Sequence, residues 1–186
     1  MDKGKKAKHG FTLVELMLAV SIVGILTAMA IPSYGGYLQR SKTSEIGSQL
    51  KLMFVGASAY YASEFQITDE GEVGSACAVV AVPHAAEDAA LGNHKLDMSA
   101  VYLGPDAFPS FKALEFAPEE PLYYAYNIAE SIGPTCDIEI NTPEVYIFEA
   151  AGDINGDDVI EAHQVTIRSS AENTLQRSAI VERARN

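Results

Sequence analysis

Between Gly152 and Gln164 the chain reads GDINGDDVIEAHQ, which sets Asp153, Asn155, Asp157, the carbonyl of Val159 and Glu161 at alternating positions. Oxygen donors at that spacing are those of an EF-hand-like calcium loop, where a hard cation collects carboxylates, an amide oxygen and one carbonyl. Two positions depart from the pattern: Asp158 stands where glycine normally makes the sharp turn, and Gln164 where a bidentate acid normally closes the shell. The same residues also read as an Asn-Gly hairpin turn carrying solvated acids. Calcium is the one ion to which the sequence points, and no cofactor is required. His84 and His94 flank Asp88 and could ligate a metal, but the favoured reading is that they are solvated loop residues.

A second chemically unusual residue is Glu15, inside the apolar stretch KHGFTLVELMLAVSIVGILTAMAIP, Lys8 to Pro32. An ionised side chain within hydrocarbon costs at least about 2.5 to 3.5 kcal/mol at the centre of a span, so it persists where something pairs with it or where it can reach the interface. Basic residues Lys3, Lys5, Lys6 and Lys8 precede the stretch. Positive flanks stay cytoplasmic, which puts everything after the span on the exported side. A cleavable signal peptide ending near Ala28-Met29-Ala30 has similar ingredients, but it would carry Glu15 in its apolar core. A plain membrane anchor explains the span but not the glutamate.

The stretch GFTLVELMLAVSIVGILTAMAIPSY resembles the N-terminus of type IV pilins and their pseudopilin relatives, through Gly10, Phe11, Thr12, Glu15 and Pro32 at these spacings. The resemblance implies a basic leader, residues 1–10, removed by a prepilin peptidase that cuts after Gly10 and N-methylates Phe11. It further implies that Glu15 pairs with the new α-amine of Phe11 on a neighbouring subunit. Misregistered subunits would then bury unpaired charge, at several kcal/mol. Implied partners are copies of the chain or other pilins, the peptidase, an inner-membrane assembly platform, and membrane lipid before assembly.

The elements that must position these residues follow from pattern. Residues 11–31 form a transmembrane and assembly segment; residues 32–65 continue the helix, with Ile46, Leu50, Met53, Ala57 and Tyr61 spaced by three and four as one apolar stripe. Pro32, Gly24, Gly35 and Gly36 weaken the helix locally, and the family resemblance implies kinking or partial melting there on assembly. Residues 66–186 form an exported head, in which 66–121 is a long Ala-, Gly- and Pro-rich stretch without a placeable pattern. Its end, FKALEFAPEEPLYYAYNI, resembles a segment that precedes the first strand in one subgroup of pilin-like proteins. Strands are predicted at Leu122 to Ala129, Val145 to Ala151 and Gln164 to Ser169, with turns at Gly133-Pro134 and Asn155-Gly156. The fold class is α+β: a long N-terminal α-helix, its first half transmembrane, packed on a small antiparallel β-sheet, the pilin fold.

Two cysteines, Cys77 and Cys136, allow one intramolecular disulfide, which an exported domain would retain; the alternative is two buried free thiols. A loop of that length adds about 4 kcal/mol on the chain-entropy model. Four lysines and one aspartate fall in the first ten residues, so the rest of the chain carries 9 Lys and Arg against 24 Asp and Glu, a formal charge of −15. Such a domain is repelled by nucleic acid, and no nucleic acid partner is expected. No Walker loop, nucleophile elbow, HExxH or CxxC is present, so the chain reads as no enzyme. The expectation is a structural subunit of a type IV pilus or related filament, single-pass in the inner membrane before assembly, extracellular or periplasmic after it. A pseudopilin of a type II secretion or DNA-uptake system shares the whole N-terminal argument. A membrane-anchored periplasmic binding domain or enzyme is the reading from another class.

Overall fold

The computed structural model describes residues 11–63, 65–66, 73–83 and 94–184. The chain divides into two compact units, 1–40 and 41–186. Helix α1, Leu13–Ala62, contributes to both.

In the first unit every described side chain is exposed, including Leu13, Val14, Leu16, Val20, Ile25 and Ile31. Nineteen residues of helix, 13–31, rise about 28 Å, close to the thickness of a bilayer's hydrocarbon core. The stretch is long and apolar enough to cross a membrane. Its hydroxyls turn inward: Ser21 Oγ donates to the Met17 carbonyl at 2.8 Å and Thr27 Oγ1 to that of Val23 at 2.7 Å. Hydroxyls bonded back to their own helix add no unpaired donor to its apolar surface. The helix runs through Pro32 without a break.

In the second unit, the predicted stripe is the buried face of α1: Ile46, Leu50, Met53, Ala57 and Tyr61 are all at most 2% exposed. It packs in one core with Tyr126, Ile128, Phe148, Val165 and Ile167 of the sheet. The stripe is not the helix's only apolar face, however, since Leu52 and Val55 are both 53% exposed.

Five strands form the main sheet: β3 Ala125–Ser131, β4 Tyr146–Gly152, β5 Glu161–Ser169, β6 Leu175–Arg177 and β7 Val181–Ala184. All pairings are antiparallel in the order β3-β4-β5, with β6 and β7 both on the far side of β5. Predicted strand starts shift for a physical reason. Leu122 to Tyr124 do not join β3, because Leu122 pairs with Leu96 and a helix carboxylate holds the next two amides. β6 and β7 were not predicted; as short, exposed edge strands they carry no alternating apolar pattern.

The stretch 66–121 contains small elements: β1 Phe65–Gln66 pairs with β2 Val73–Gly74, and short helices α2, Ser99–Tyr102, and α3, Pro109–Ala113, follow. Val82 and Tyr102 of this stretch protect the outer edge of β3. Val82 exchanges both backbone hydrogen bonds with Ile128, at 2.9 and 3.2 Å. The Tyr102 hydroxyl accepts from the Tyr126 N–H at 2.7 Å and donates to its carbonyl at 3.0 Å, standing in for a strand partner. Edges covered in this way do not recruit foreign strands. Tyr102, Phe111, Phe116 and Tyr126 then stack edge to face beneath.

This corner sits on α1 at Gly56. A Cβ there would lie 1.8 Å from the Leu114 carbonyl oxygen, so only glycine permits the approach. Glu115, next in the chain, takes φ 50, the left-handed turn that brings the chain away again.

Candidate functional site

At the start of α1, Thr12 and Glu15 cap each other. The Glu15 carboxylate accepts from the Thr12 N–H at 2.9 Å and from its hydroxyl at 2.8 Å, while Thr12 Oγ1 accepts the Glu15 N–H at 3.2 Å. This is a capping box, threonine three residues before glutamate, satisfying backbone donors that a helix start otherwise leaves open. Sequence reasoning gave Glu15 one task and missed this second one, although the T-x-x-E spacing carries it. Phe11 is 80% exposed and directly precedes the box. Gly10 and His9 lie outside the described residues.

The expected calcium loop is an eight-residue connection, 153–160, between β4 and β5, with Gly152 opposite Glu161. It is neither a two-residue Asn-Gly hairpin nor uniformly solvated. Asp153 is 1% exposed and accepts three backbone amides: Gly156 at 2.7 Å and Asp157 at 3.3 Å on Oδ1, Asp158 at 3.0 Å on Oδ2. Asn155 Oδ1 accepts the Asp157 N–H at 3.0 Å, and Asp157 Oδ1 accepts that of Val159 at 2.9 Å. Asp158 adopts φ 62, so an aspartate makes the turn for which the sequence pattern wants glycine. Among the described residues no group of three or more His, Cys, Asp or Glu side chains is gathered to hold a metal ion. His84 and Asp88 lie outside the described residues, and His94 is exposed.

Cys77 and Cys136 form a disulfide. It ties the segment along the β3 edge to the β3–β4 connection, where Ala78 N–H donates to Thr135 at 2.8 Å and Asp137 N–H to Ser75 at 2.7 Å.

Glu45, on the head half of α1, is a structural carboxylate that the sequence did not single out. It accepts from the Tyr123 N–H at 3.0 Å, the Tyr124 N–H at 3.4 Å and the Tyr126 hydroxyl at 3.1 Å, and lies 3.8 Å from Lys95 Nζ. Burial raises its pKa above the ordinary glutamate value, against these hydrogen bonds. Burial likewise pushes the Tyr126 phenol up, first through lost hydration and then through the Glu45 charge, keeping it a donor.

Residues 5–31 match the family model of the prokaryotic N-terminal methylation motif. The chain is 40% identical over 69 residues to the type IV major pilin protein PilA of Myxococcus xanthus, covering 37% of this chain and 31% of that one. It is 51% identical over 45 residues to the type IV major fimbrial protein FimA of Dichelobacter nodosus, covering 24% and 29%. With the type IV major alpha-pilin of Moraxella bovis it shares 46% over 44 residues, covering 24% and 28%. The matched part thus spans under a third of the length of these curated relatives. No solved structure gives a significant match. The N-terminal segment of this chain, an exposed apolar helix begun by the Thr12–Glu15 box, thus carries the prokaryotic N-terminal methylation motif and is similar in sequence to type IV major pilins.

Proposed function

We propose that the chain is a structural subunit, major or minor, of a type IV pilus or related filament. A prepilin peptidase cuts after Gly10 and methylates Phe11; the subunit waits in the inner membrane and polymerises through α1. The observation that carries this reading is Glu15: the one acid in an otherwise apolar and wholly exposed helix stretch, fixed by Thr12 beside Phe11. Cleavage would create an α-amine at Phe11 within reach of that carboxylate, and a second copy's carboxylate can replace the first without leaving charge unpaired. A pseudopilin role uses the same chemistry and is the runner-up. The relatives are named as pilins and fimbrial proteins, which supports a building block rather than an enzyme.

The test separates the two tasks of Glu15. Glu15→Gln keeps an oxygen for the capping box and removes the charge, whereas Glu15→Val removes both. Both variants are expected to remain in the membrane and to yield few filaments. Normal filament yield from Glu15→Gln would reduce Glu15 to a helix cap.

A second reading concerns the loop 153–161, for which we propose weak calcium binding. The left-handed Asp158 favours it, since the turn exists without glycine. Both Asp153 oxygens already serve amides, and Asn155 Oδ1 and Asp157 Oδ1 accept one each, so an ion would share these oxygens and add Glu161 and the Val159 carbonyl. Affinity on the order of 10⁻⁴ to 10⁻³ M is expected.

A further inference from the structure

Asn155-Gly156 is the one place in the chain where asparagine precedes glycine. Such a pair carries its own chemistry. Once the glycine nitrogen has given its proton to hydroxide, it can attack the asparagine Cγ, because glycine has no side chain to block the approach. The bond from Cγ to Nδ2 then breaks and ammonia leaves, which gives a five-membered succinimide. Water opens that ring at either carbonyl. The net change is one water consumed, one ammonia released, and aspartate or isoaspartate in place of Asn155.

Exposure favours the reaction, since Asn155 and Gly156 both lie at the exposed tip of the 153–160 loop, where Gly156 takes φ 77. The hydrogen bonds oppose it at both reacting groups. The N–H of the nucleophile, Gly156, donates to Asp153 Oδ1 at 2.7 Å. A carboxylate at that distance holds the proton and disfavours the anion that must form on the nitrogen. The amide under attack is fixed as well: Asn155 Oδ1 accepts the Asp157 N–H at 3.0 Å, and its Nδ2 donates to Asp157 Oδ2 at 2.8 Å. The base of the loop is anchored, because Asp153 is 1% exposed and Ile154, 3% exposed, belongs to the core.

We propose that Asn155 is a deamidation site held in check by the folded loop, with Asp153 restraining the attacking nitrogen and Asp157 the amide under attack. The reaction then runs from local openings of the loop, at a rate reduced by the fraction of time the loop is open. It needs no enzyme, metal or filament, and it stands apart from the readings above. Its product places a new carboxylate at 155, and in the isoaspartate form an extra backbone methylene, at the residue that bonds the Asp157 N–H. Conversion therefore loosens the loop that had delayed it.

The test ages the full chain in detergent in mildly alkaline buffer, with a parallel sample in denaturant. Peptides spanning residue 155 are read by mass for exchange of amide for acid, and chromatography separates aspartate from isoaspartate. The folded wild type is expected to convert at least about tenfold more slowly than the denatured chain. In denaturant, Gly156→Ala is expected to slow conversion several-fold, since its methyl group hinders the attack. In the folded chain, Asp153→Asn and Asp157→Ala are each expected to convert at least fivefold faster than wild type. A melt shows whether each variant is folded; where Asp153→Asn is not, the exposed Asp157→Ala decides. Equal rates for folded and denatured wild type, no slowing in Gly156→Ala, or a folded variant no faster than wild type would each overturn the proposal. Slower conversion in Asp153→Asn would do so too, by making Asp153 the base that drives the reaction.

Discussion

The Glu45 carboxylate of α1 and the Tyr123 N–H, 3.0 Å apart, join the helix to the chain entering β3. The same oxygen takes the Tyr124 N–H and the Tyr126 hydroxyl, so one side chain satisfies the strand entry. Because burial raises the Glu45 pKa, there is a pH window, above the ordinary glutamate value and below the folded one, in which the folded chain binds a proton more readily than the unfolded chain. The contribution of Glu45 to stability is therefore greatest below the ordinary glutamate range and declines as pH rises through the folded value. Glu45→Gln keeps the accepting oxygen and should flatten that part of the stability-versus-pH curve. Glu45→Ala strands Tyr123 and Tyr126 donors and is expected to lose about 1 to 3 kcal/mol. Denaturant melts from pH 4 to 7 check both, and an unchanged slope in Glu45→Gln would dismiss Glu45 as the titrating group.

Gly56 is the second point where the helix meets the chain before β3. Its substitution by alanine improves helix propensity, so a helix exposed at that position would gain stability. Here the new Cβ meets the Leu114 carbonyl, and a loss on the order of 2 kcal/mol is expected from the forced backbone shift. A melt showing Gly56→Ala equal to or above wild type would contradict the observed packing.

Asp153 and Asp157 separate the two ways of holding the β4–β5 loop. Asp153→Ala removes the acceptor of three amides and should lower stability by about 1 to 3 kcal/mol with or without calcium. Asp157→Asn keeps the oxygen for Val159 and removes a charge. In millimolar calcium the wild-type chain should melt at a higher temperature than in chelator, and Asp157→Asn should lose that difference. Equal wild-type melts would leave the loop as a backbone-satisfied turn with no ion.

How much of this was legible in the sequence depended on whether a residue's task was local. The stripe from Ile46 to Tyr61, the helix-then-strands order and the Cys77–Cys136 pair were readable, since periodicity, β-branched runs and a two-cysteine count are local signals. Glu45 was not, because its partners are some eighty residues away and nothing in its neighbourhood marks it. Tyr102 looked like any loop tyrosine until β3 supplied an edge for its hydroxyl. β6 and β7 exist only by pairing with β5, and edge strands with one dry neighbour keep few apolar residues. At the N-terminus the reverse holds: Thr12 and Glu15 are three apart, and their box was in plain view.

The central claim, a subunit matured at Gly10 and built into a filament, is tested most directly by intact-mass and N-terminal sequencing of filaments sheared from the cells that make the chain. The account predicts a chain beginning at Phe11, one methyl group heavier than its sequence, with the Cys77–Cys136 disulfide intact. A chain beginning at Met1 or Ile31, or absent from the filaments, would contradict it.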